Sequence, residues 1–320
     1  MSEPEGSDKK YDVAIIGGGP AGLTAGIYAM RAALSTVLIE GASTVSQITT
    51  TDAIENYPGL AGTNGLDLVE IFKKQALDFG LEIVSDDASG IRWISSEGQD
   101  GWEIAVGDRS YGALSVIYAA GATWRRLGVI GEDKFIGRGV SFCATCDAPL
   151  FRNKNVAVVG GGDTAIQEAL YLTRFAGKVT VIHRRNRLRA TAILQQRAFS
   201  NDKIEFMWDS VVEEVDGQNL VERIKVHNLK KDEDTILPVN GLFVFIGLNP
   251  NTGMLHKLVD LDAGGYLKVG PNMESSAKGL FGAGDCIAKQ LRQVVTACGD
   301  GANAAYSAQL YVEDLKGEAY

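Results

Sequence analysis

The sequence predicts an α/β protein of two domains, on three observations: its length, its glycine-rich composition, and a strand–turn–helix–strand unit that occurs twice. The chain has 320 residues, and at roughly 150 residues per domain two cores are expected. With 45% hydrophobic and 22% charged residues and 38 glycines, the composition suits a globular chain rich in strand-to-helix turns rather than a disordered one. No apolar run approaches the ~20 residues that cross a bilayer. Met1–Lys10 is polar and lacks the apolar centre of a signal peptide, so a cytoplasmic location is expected. A net charge of −9 is the wrong sign for a nucleic-acid surface.

The repeated unit runs over Val13–Glu40 and again over Val156–His183, aligned without a gap at an offset of 143 residues. Each copy opens on a short β-branched run, Val13–Ile16 or Val156–Val159, of the length and composition of a buried parallel strand. A glycine turn follows. Gly17, Gly19 and Gly22, with Pro20 and Ala21 between, read G-x-G-x-x-G, and Gly160, Gly162 and Ala165, with Asp163 and Thr164 between, read G-x-G-x-x-A. The first glycine allows a tight turn, the second lets the backbone approach a pyrophosphate, and the third position brings the helix close to the strand. The pyrophosphate then lies on the helix N-terminus. One such motif arises readily by chance, whereas two in full strand–turn–helix–strand context predict two Rossmann-like, three-layer dinucleotide-binding domains. The second strands are expected at Thr36–Ile39 and Val179–Ile182.

The copies differ at the end of that second strand, 18 residues past the last motif position, where Glu40 corresponds to His183. A carboxylate there accepts hydrogen bonds from a ribose diol and repels a 2′-phosphate, which suits FAD in the first site. In the second, His183, Arg184 and Arg185 are followed by Arg187 and Arg189. Guanidinium forks of this kind hold phosphate, which favours NADPH, although the same run also reads as a solvated basic loop.

Cys143-Ala144-Thr145-Cys146-Asp147 precedes the second unit. Zinc needs four ligands, and the other cysteines, Cys286 and Cys298, and the three scattered histidines do not supply a recognisable pair. A redox-active disulfide, fed by neighbouring flavin and nicotinamide sites, is the reading set against an inert dithiol. Asp147 is positioned as a general acid or base, or as the cap of a following helix. Cys286 and Cys298 are expected to be buried and without a role.

Taken together these segments resemble the low-molecular-weight thioredoxin reductases over Tyr11 to Leu315. Further segments support the likeness: Thr49-Thr50-Thr51 through Glu55-Asn56-Tyr57-Pro58-Gly59 is similar to the family's flavin-contacting loop, Gly284-Asp285 to its ribityl-binding Asp, and Arg292-Gln293-Val294 to its isoalloxazine-contacting turn, which opens a helix expected over Thr296–Leu310. The chain departs from the family at Val45-Ser46-Gln47-Ile48, where many members have Gly-Gly-Gln-Leu, and at Val294, where alanine is usual.

The resemblance implies a two-dinucleotide-binding flavoprotein with one domain inserted in the other: residues 1–121 and 249–320 for FAD, and 122–248 for NADPH and the cysteine pair. It implies that Gln47, Asn56, Gly284, Asp285, Arg292, Gln293 and Val294 line the flavin site. It further implies that Cys146 faces the flavin, that Cys143 attacks the disulfide of a thioredoxin or thioredoxin-like partner, that Asp147 serves as acid and base, and that the enzyme is a homodimer. Because flavin must meet nicotinamide in one half-reaction and the cysteines in the other, the two crossings, near Gly121-Ala122-Thr123 and Gly247-Leu248-Asn249-Pro250, are expected to act as hinges. The rival readings are another electron donor, such as NADH or ferredoxin, and a dithiol oxidase; neither needs the arginines.

Overall fold

The computed structural model describes residues 10–42, 46–50, 54, 56–60, 62–95 and 100–318. The N-terminal tail up to residue 9, and Val45, Thr51 and Glu55 of the expected flavin loop, lie outside them. The chain divides into one unit formed by residues up to Thr123 and from Asn249 onward, and a second formed by Trp124–Leu248. Where the chain passes between them, the short strands Ala122–Trp124 and Leu248–Pro250 pair with each other.

In the first unit the parallel strands Glu82–Ser85, Thr36–Glu40, Lys10–Ile16 and Arg109–Tyr118 lie side by side, and Leu280–Gly282 also pairs in parallel with the last of them. Gly101–Val106 and Ala88–Ile94 continue the sheet antiparallel. Both faces are covered, which is why the run Val13–Ile16 within the strand Lys10–Ile16 is apolar: Val13 and Ile15 pack with the helices, while Ala14 and Ile16 enter a separate core with Tyr118 and Leu280. The helix Pro20–Arg31 starts on proline, whose missing N–H costs nothing there. It packs against the C-terminal helix at Gly301, where a Cβ would stand 2.1 Å from the Ala21 carbonyl oxygen.

The second unit repeats the plan. Its five parallel strands run in the order Ile204–Trp208, Lys178–His183, Asn155–Gly160, Gly241–Phe245 and Val140–Ser141. Val156 and Val158 enter one core, and Ala157 and Val159 the other, the same alternation found 143 residues earlier. The covering layer is an antiparallel sheet of Ser210–Asp216, Arg223–Asn228 and Glu233–Pro238.

On that sheet Glu213, His227 and Asp234 are near enough to share a cation, but the Lys225 ammonium already lies 3.0 Å from Glu213 and 2.8 Å from Asp234. Hydrogen bonding to Asp234, 2.8 Å from His227 Nδ1, raises the imidazole pKa above its ordinary value against a desolvation cost. A raised folded-state pKa stabilises most fully below the unfolded value of ~6.5 and the contribution fades as pH rises through the folded one. His227→Gln is therefore expected to flatten the fall in melting temperature between mildly acidic and mildly alkaline buffer. An unchanged slope would show that the pair contributes nothing.

Candidate active site and dinucleotide cradles

The glycines of the two turns differ in what surrounds them. Gly17 and Gly160 have φ of +118° and +151°, and a Cβ on Gly17 would lie 2.2 Å from the Ala119 carbonyl oxygen. At Gly22 a Cβ would lie 1.8 Å from the Gly17 oxygen, so here the helix sits directly on the turn. Gly19 and Gly162 are different: a Cβ on Gly19 would find only the Ser46 hydroxyl, at 3.7 Å, and one on Gly162 nothing within 4 Å. That open space is what a phosphate needs to reach the backbone. Both are helix N-caps with no capping side chain, leaving first-turn N–H groups for an anion. Pro20 and Ala21 open the first helix; Asp163, Thr164 and Ala165 open the second, where Asp163 Oδ1 accepts from Thr191 N at 2.6 Å.

Two positions that the motif reading leaves as "x" are equally constrained. A Cβ on Gly18 would approach Glu40 Cβ to 2.6 Å, and one on Gly161 would approach His183 Cε1 to 2.5 Å. Both turns read Gly-Gly-Gly, and that is the signal by which these positions could have been found.

Glu40 ends its strand with Lys73 Nζ at 2.7 Å and Ser85 Oγ at 2.7 Å. Burial opposes its ionisation, but those two hydrogen bonds outweigh it and hold the carboxyl below its ordinary pKa. Gln47 donates to the Ala122 carbonyl, and Asn56 Nδ2 donates to Gln293 Oε1 at 2.8 Å, joining segments 237 residues apart. Gln293 and Thr296 form a reciprocal cap on the helix Val294–Lys316, which is longer at both ends than Thr296–Leu310. Arg292 lies 4.0 Å above the Tyr266 ring and donates to the backbone oxygens of Asp285 and Ile287.

Gly284, at φ +78°, approaches Ala21 of the first turn so closely that a Cβ would be 2.9 Å from its methyl. Beside it Asp285 Oδ1 is sealed from solvent without a hydrogen bond, its neighbour Lys289 Nζ standing 3.4 Å away. Burial raises this carboxyl's pKa, with Lys289 opposing. The residues expected around a flavin come from four separate stretches of the first unit, and Lys73, Tyr266 and Lys289 contact Glu40, Arg292 and Asp285 among them.

In the second unit His183 is buried, with Nε2 unpartnered. Burial lowers its pKa, a hydrogen bond with Arg187 backbone opposes, and the charges of Arg189, Arg184 and Arg185 lower it further. The charge of this cluster therefore resides in the arginines. Arg184, Arg185, Asn186 and Arg187 line an open cleft of about 640 Å³ with Asp209 and Lys230. Arg189 is exposed outside that lining; its backbone N–H bonds Gly161 O at 2.7 Å.

Cys143 and Cys146 form a disulfide with Cα atoms 5.4 Å apart. Ala144–Asp147 makes one helical turn capped by Cys143, whose Sγ accepts from Cys146 N at 3.1 Å. Ser141 Oγ accepts from Cys143 N at 3.1 Å, and buried Glu168 accepts from Ala144 N at 3.2 Å; neither residue carries a signal in the motif. Cys146 is exposed and Cys143 half-buried. Asp147 precedes the next turn, Ala148–Phe151, and its side chain makes no capping hydrogen bond. Cys286 is buried, with its thiol pushed up to about 12 by burial, and burial also raises Cys298. Neither forms a thiolate readily near neutrality.

Residues 11–301 match the family model of the pyridine nucleotide-disulphide oxidoreductases. The chain is 43% identical over 310 residues to the thioredoxin reductase of Listeria innocua, covering 97% of this chain and 96% of that one. The chain belongs to this family, among its thioredoxin reductases. The thioredoxin reductase of Bacillus subtilis is 42% identical over 97% of each chain. The crystal structure of Lactococcus lactis thioredoxin reductase superposes with a TM-score of 0.91 at 40% identity, covering 95% of this chain and 99% of that one. Membership makes this chain a flavoprotein disulfide oxidoreductase, with Cys143–Cys146 as its C-x-x-C disulfide. Among the described residues no helix is long and apolar enough to cross a membrane.

Proposed function

We propose that the protein is an NADPH-dependent thioredoxin-disulfide reductase, with FAD in the first unit and NADPH in the second. The observation that carries this reading is a C-x-x-C disulfide in the same folded unit as a glycine cradle whose second strand ends in His183, followed at once by Arg184 and Arg185, rather than in a carboxylate. FAD, when bound, relays two electrons from the hydride of NADPH to a disulfide. Gly17, Gly19 and Gly22 give it a cradle, Glu40 an acceptor for a ribose diol, and Asp285 Oδ1 a buried acceptor whose neighbour in the protein is the Lys289 ammonium at 3.4 Å.

Two electrons and two protons convert Cys143–Cys146 to a dithiol. The Cys146 N–H directed at Cys143 Sγ favours a thiolate there. That thiolate attacks the partner's disulfide and forms a mixed disulfide; Cys146 then displaces the reduced partner, restoring the internal disulfide. Asp147, free of capping duty, supplies the proton to the leaving sulfur. The crossings carry Gly121 and Gly247 at φ of +66° and +121°, with open space around both, which suits them as hinges. We place the enzyme in the cytoplasm as a homodimer.

The test is anaerobic disulfide reduction by the purified yellow protein, with thioredoxin present or absent and NADPH or NADH as donor. Thioredoxin-dependent turnover favouring NADPH is expected; no turnover with either donor despite bound FAD would transfer the assignment to another electron source or to a dithiol oxidase. Replacing Arg184 and Arg185 by alanine is expected to lower kcat/KM for NADPH about 100-fold, two charge-assisted phosphate contacts being lost, with little change for NADH. An unaltered preference would reduce the cluster to surface charge.

A further inference from the structure

We propose that Lys230 is a further specificity-determining residue of the enzyme, acting with Arg184 and Arg185 on the 2′-phosphate of the nicotinamide cofactor; the inference rests on the NADPH reading above. Lys230 lies in the hairpin between Arg223–Asn228 and Glu233–Pro238, some 45 positions beyond the arginines, yet it lines the same cleft. Two links dock the hairpin there. Leu229 N donates to Asp209 O at 2.7 Å, and Asp209 N donates to Arg185 O at 3.4 Å.

The tip is held from within as well. Asn228 Oδ1 accepts from the backbone N–H groups of Lys230 and Lys231, at 3.1 and 2.9 Å, while its Nδ2 donates to Trp208 O and Ser210 Oγ, both at 3.2 Å. One amide side chain therefore fixes the turn that carries Lys230 to the strand ends that flank Asp209.

Asp209, at φ +54° between two strands, presents its carboxylate 3.0 Å from Lys230 Nζ. It is largely covered, its side chain 19% exposed against 61% for the lysine. An ammonium has three donors and Asp209 occupies one, so the lysine is held at the cleft with donors to spare for phosphate oxygens. Arg184, Arg185, Arg187 and Lys230 set against Asp209 give the lining four positive charges and one negative. Asp209 is a positioning residue in this arrangement, orienting the lysine rather than touching the ligand.

The test is calorimetric titration of the purified holoenzyme with 2′,5′-ADP and with 5′-AMP, which lacks the 2′-phosphate. Lys230→Met is expected to weaken 2′,5′-ADP about fivefold and to reduce the salt dependence of its binding, with 5′-AMP unaffected and Lys230→Arg within about twofold of the parent. If Lys230→Met binds 2′,5′-ADP as the parent does while Arg184→Ala/Arg185→Ala loses affinity, the role of the lysine is overturned and the arginine reading stands. If the double arginine variant also binds as the parent does, the 2′-phosphate reading itself falls, and the inference with it.

Discussion

Cys143→Ser and Cys146→Ser are each expected to lower thioredoxin-dependent turnover by at least about 10³-fold while the protein stays yellow, because residues that act as a unit fail together when one is removed. The size of the effect follows from the absence of a substitute. Cys286 is wholly buried, with its thiol pushed up to about 12, and Cys298, also raised by burial, lies in the long C-terminal helix of the other unit. Neither offers a thiolate at neutral pH to a macromolecular disulfide. The two variants should also differ from each other. Cys146→Ser retains the sulfur that the proposed route uses for attack and should accumulate a mixed disulfide with the partner, seen as a mass shift that reductant reverses. Cys143→Ser should trap far less. Full turnover in either variant would end the dithiol route, and trapping confined to Cys143→Ser would reverse the assignment of roles.

What the sequence made legible was local. Both glycine turns, the β-branched runs and the C-x-x-C are each contained within thirty residues, so spacing alone carries their chemistry. The strands nevertheless extend past the runs that announced them: Lys10–Ile16 and Lys178–His183 pair with neighbours at positions whose own residues are polar, because register with the adjacent strand rather than side-chain type sets where a ladder stops. The C-terminal helix extends past its expected ends for a related reason. It begins on Val294 and Val295 and contains Gly299 and Gly301, residues of low helix propensity, and its start is fixed by the reciprocal Gln293 and Thr296 cap. Gly301 is there because Ala21 of the first helix packs against it, a contact 280 positions away in the chain.

The site shows the same limit. Glu40, His183 and the arginines were legible because they stand at a fixed distance from a motif. Lys73 on Glu40, Glu168 beneath the cysteine turn, and Lys230 beside Arg185 come from elements that no spacing rule connects to those motifs. They are visible only once the sheets have brought distant segments together.

Gly22→Ala is expected to abolish flavin retention and to destabilise the first unit, and comparison with Gly19→Ala separates two causes that look alike in an activity assay. At Gly22 the added Cβ would meet the Gly17 backbone oxygen at 1.8 Å and Ile15 Cγ2 at 3.3 Å. Neither can yield cheaply, since Gly17 N is bonded to Ile39 O at 2.8 Å and Ile15 is fully buried. The helix must therefore move off the strand, at a cost of about 3 kcal/mol by analogy with overpacked cores. The flavin-free variant should melt on the order of 10 °C below the flavin-free parent. At Gly19 the methyl enters open space, so flavin-free Gly19→Ala should melt with the parent and yet bind FAD poorly, because the methyl occupies the approach of the pyrophosphate. The second cradle supplies the control. There the third motif position is already Ala165, only 1% exposed, so Ala165→Gly removes a packed methyl instead of relieving a clash. It should lower stability modestly and leave the flavin in place. Equal melting temperatures for flavin-free Gly22→Ala and parent would show that the first helix has more freedom against its strand than these contacts allow.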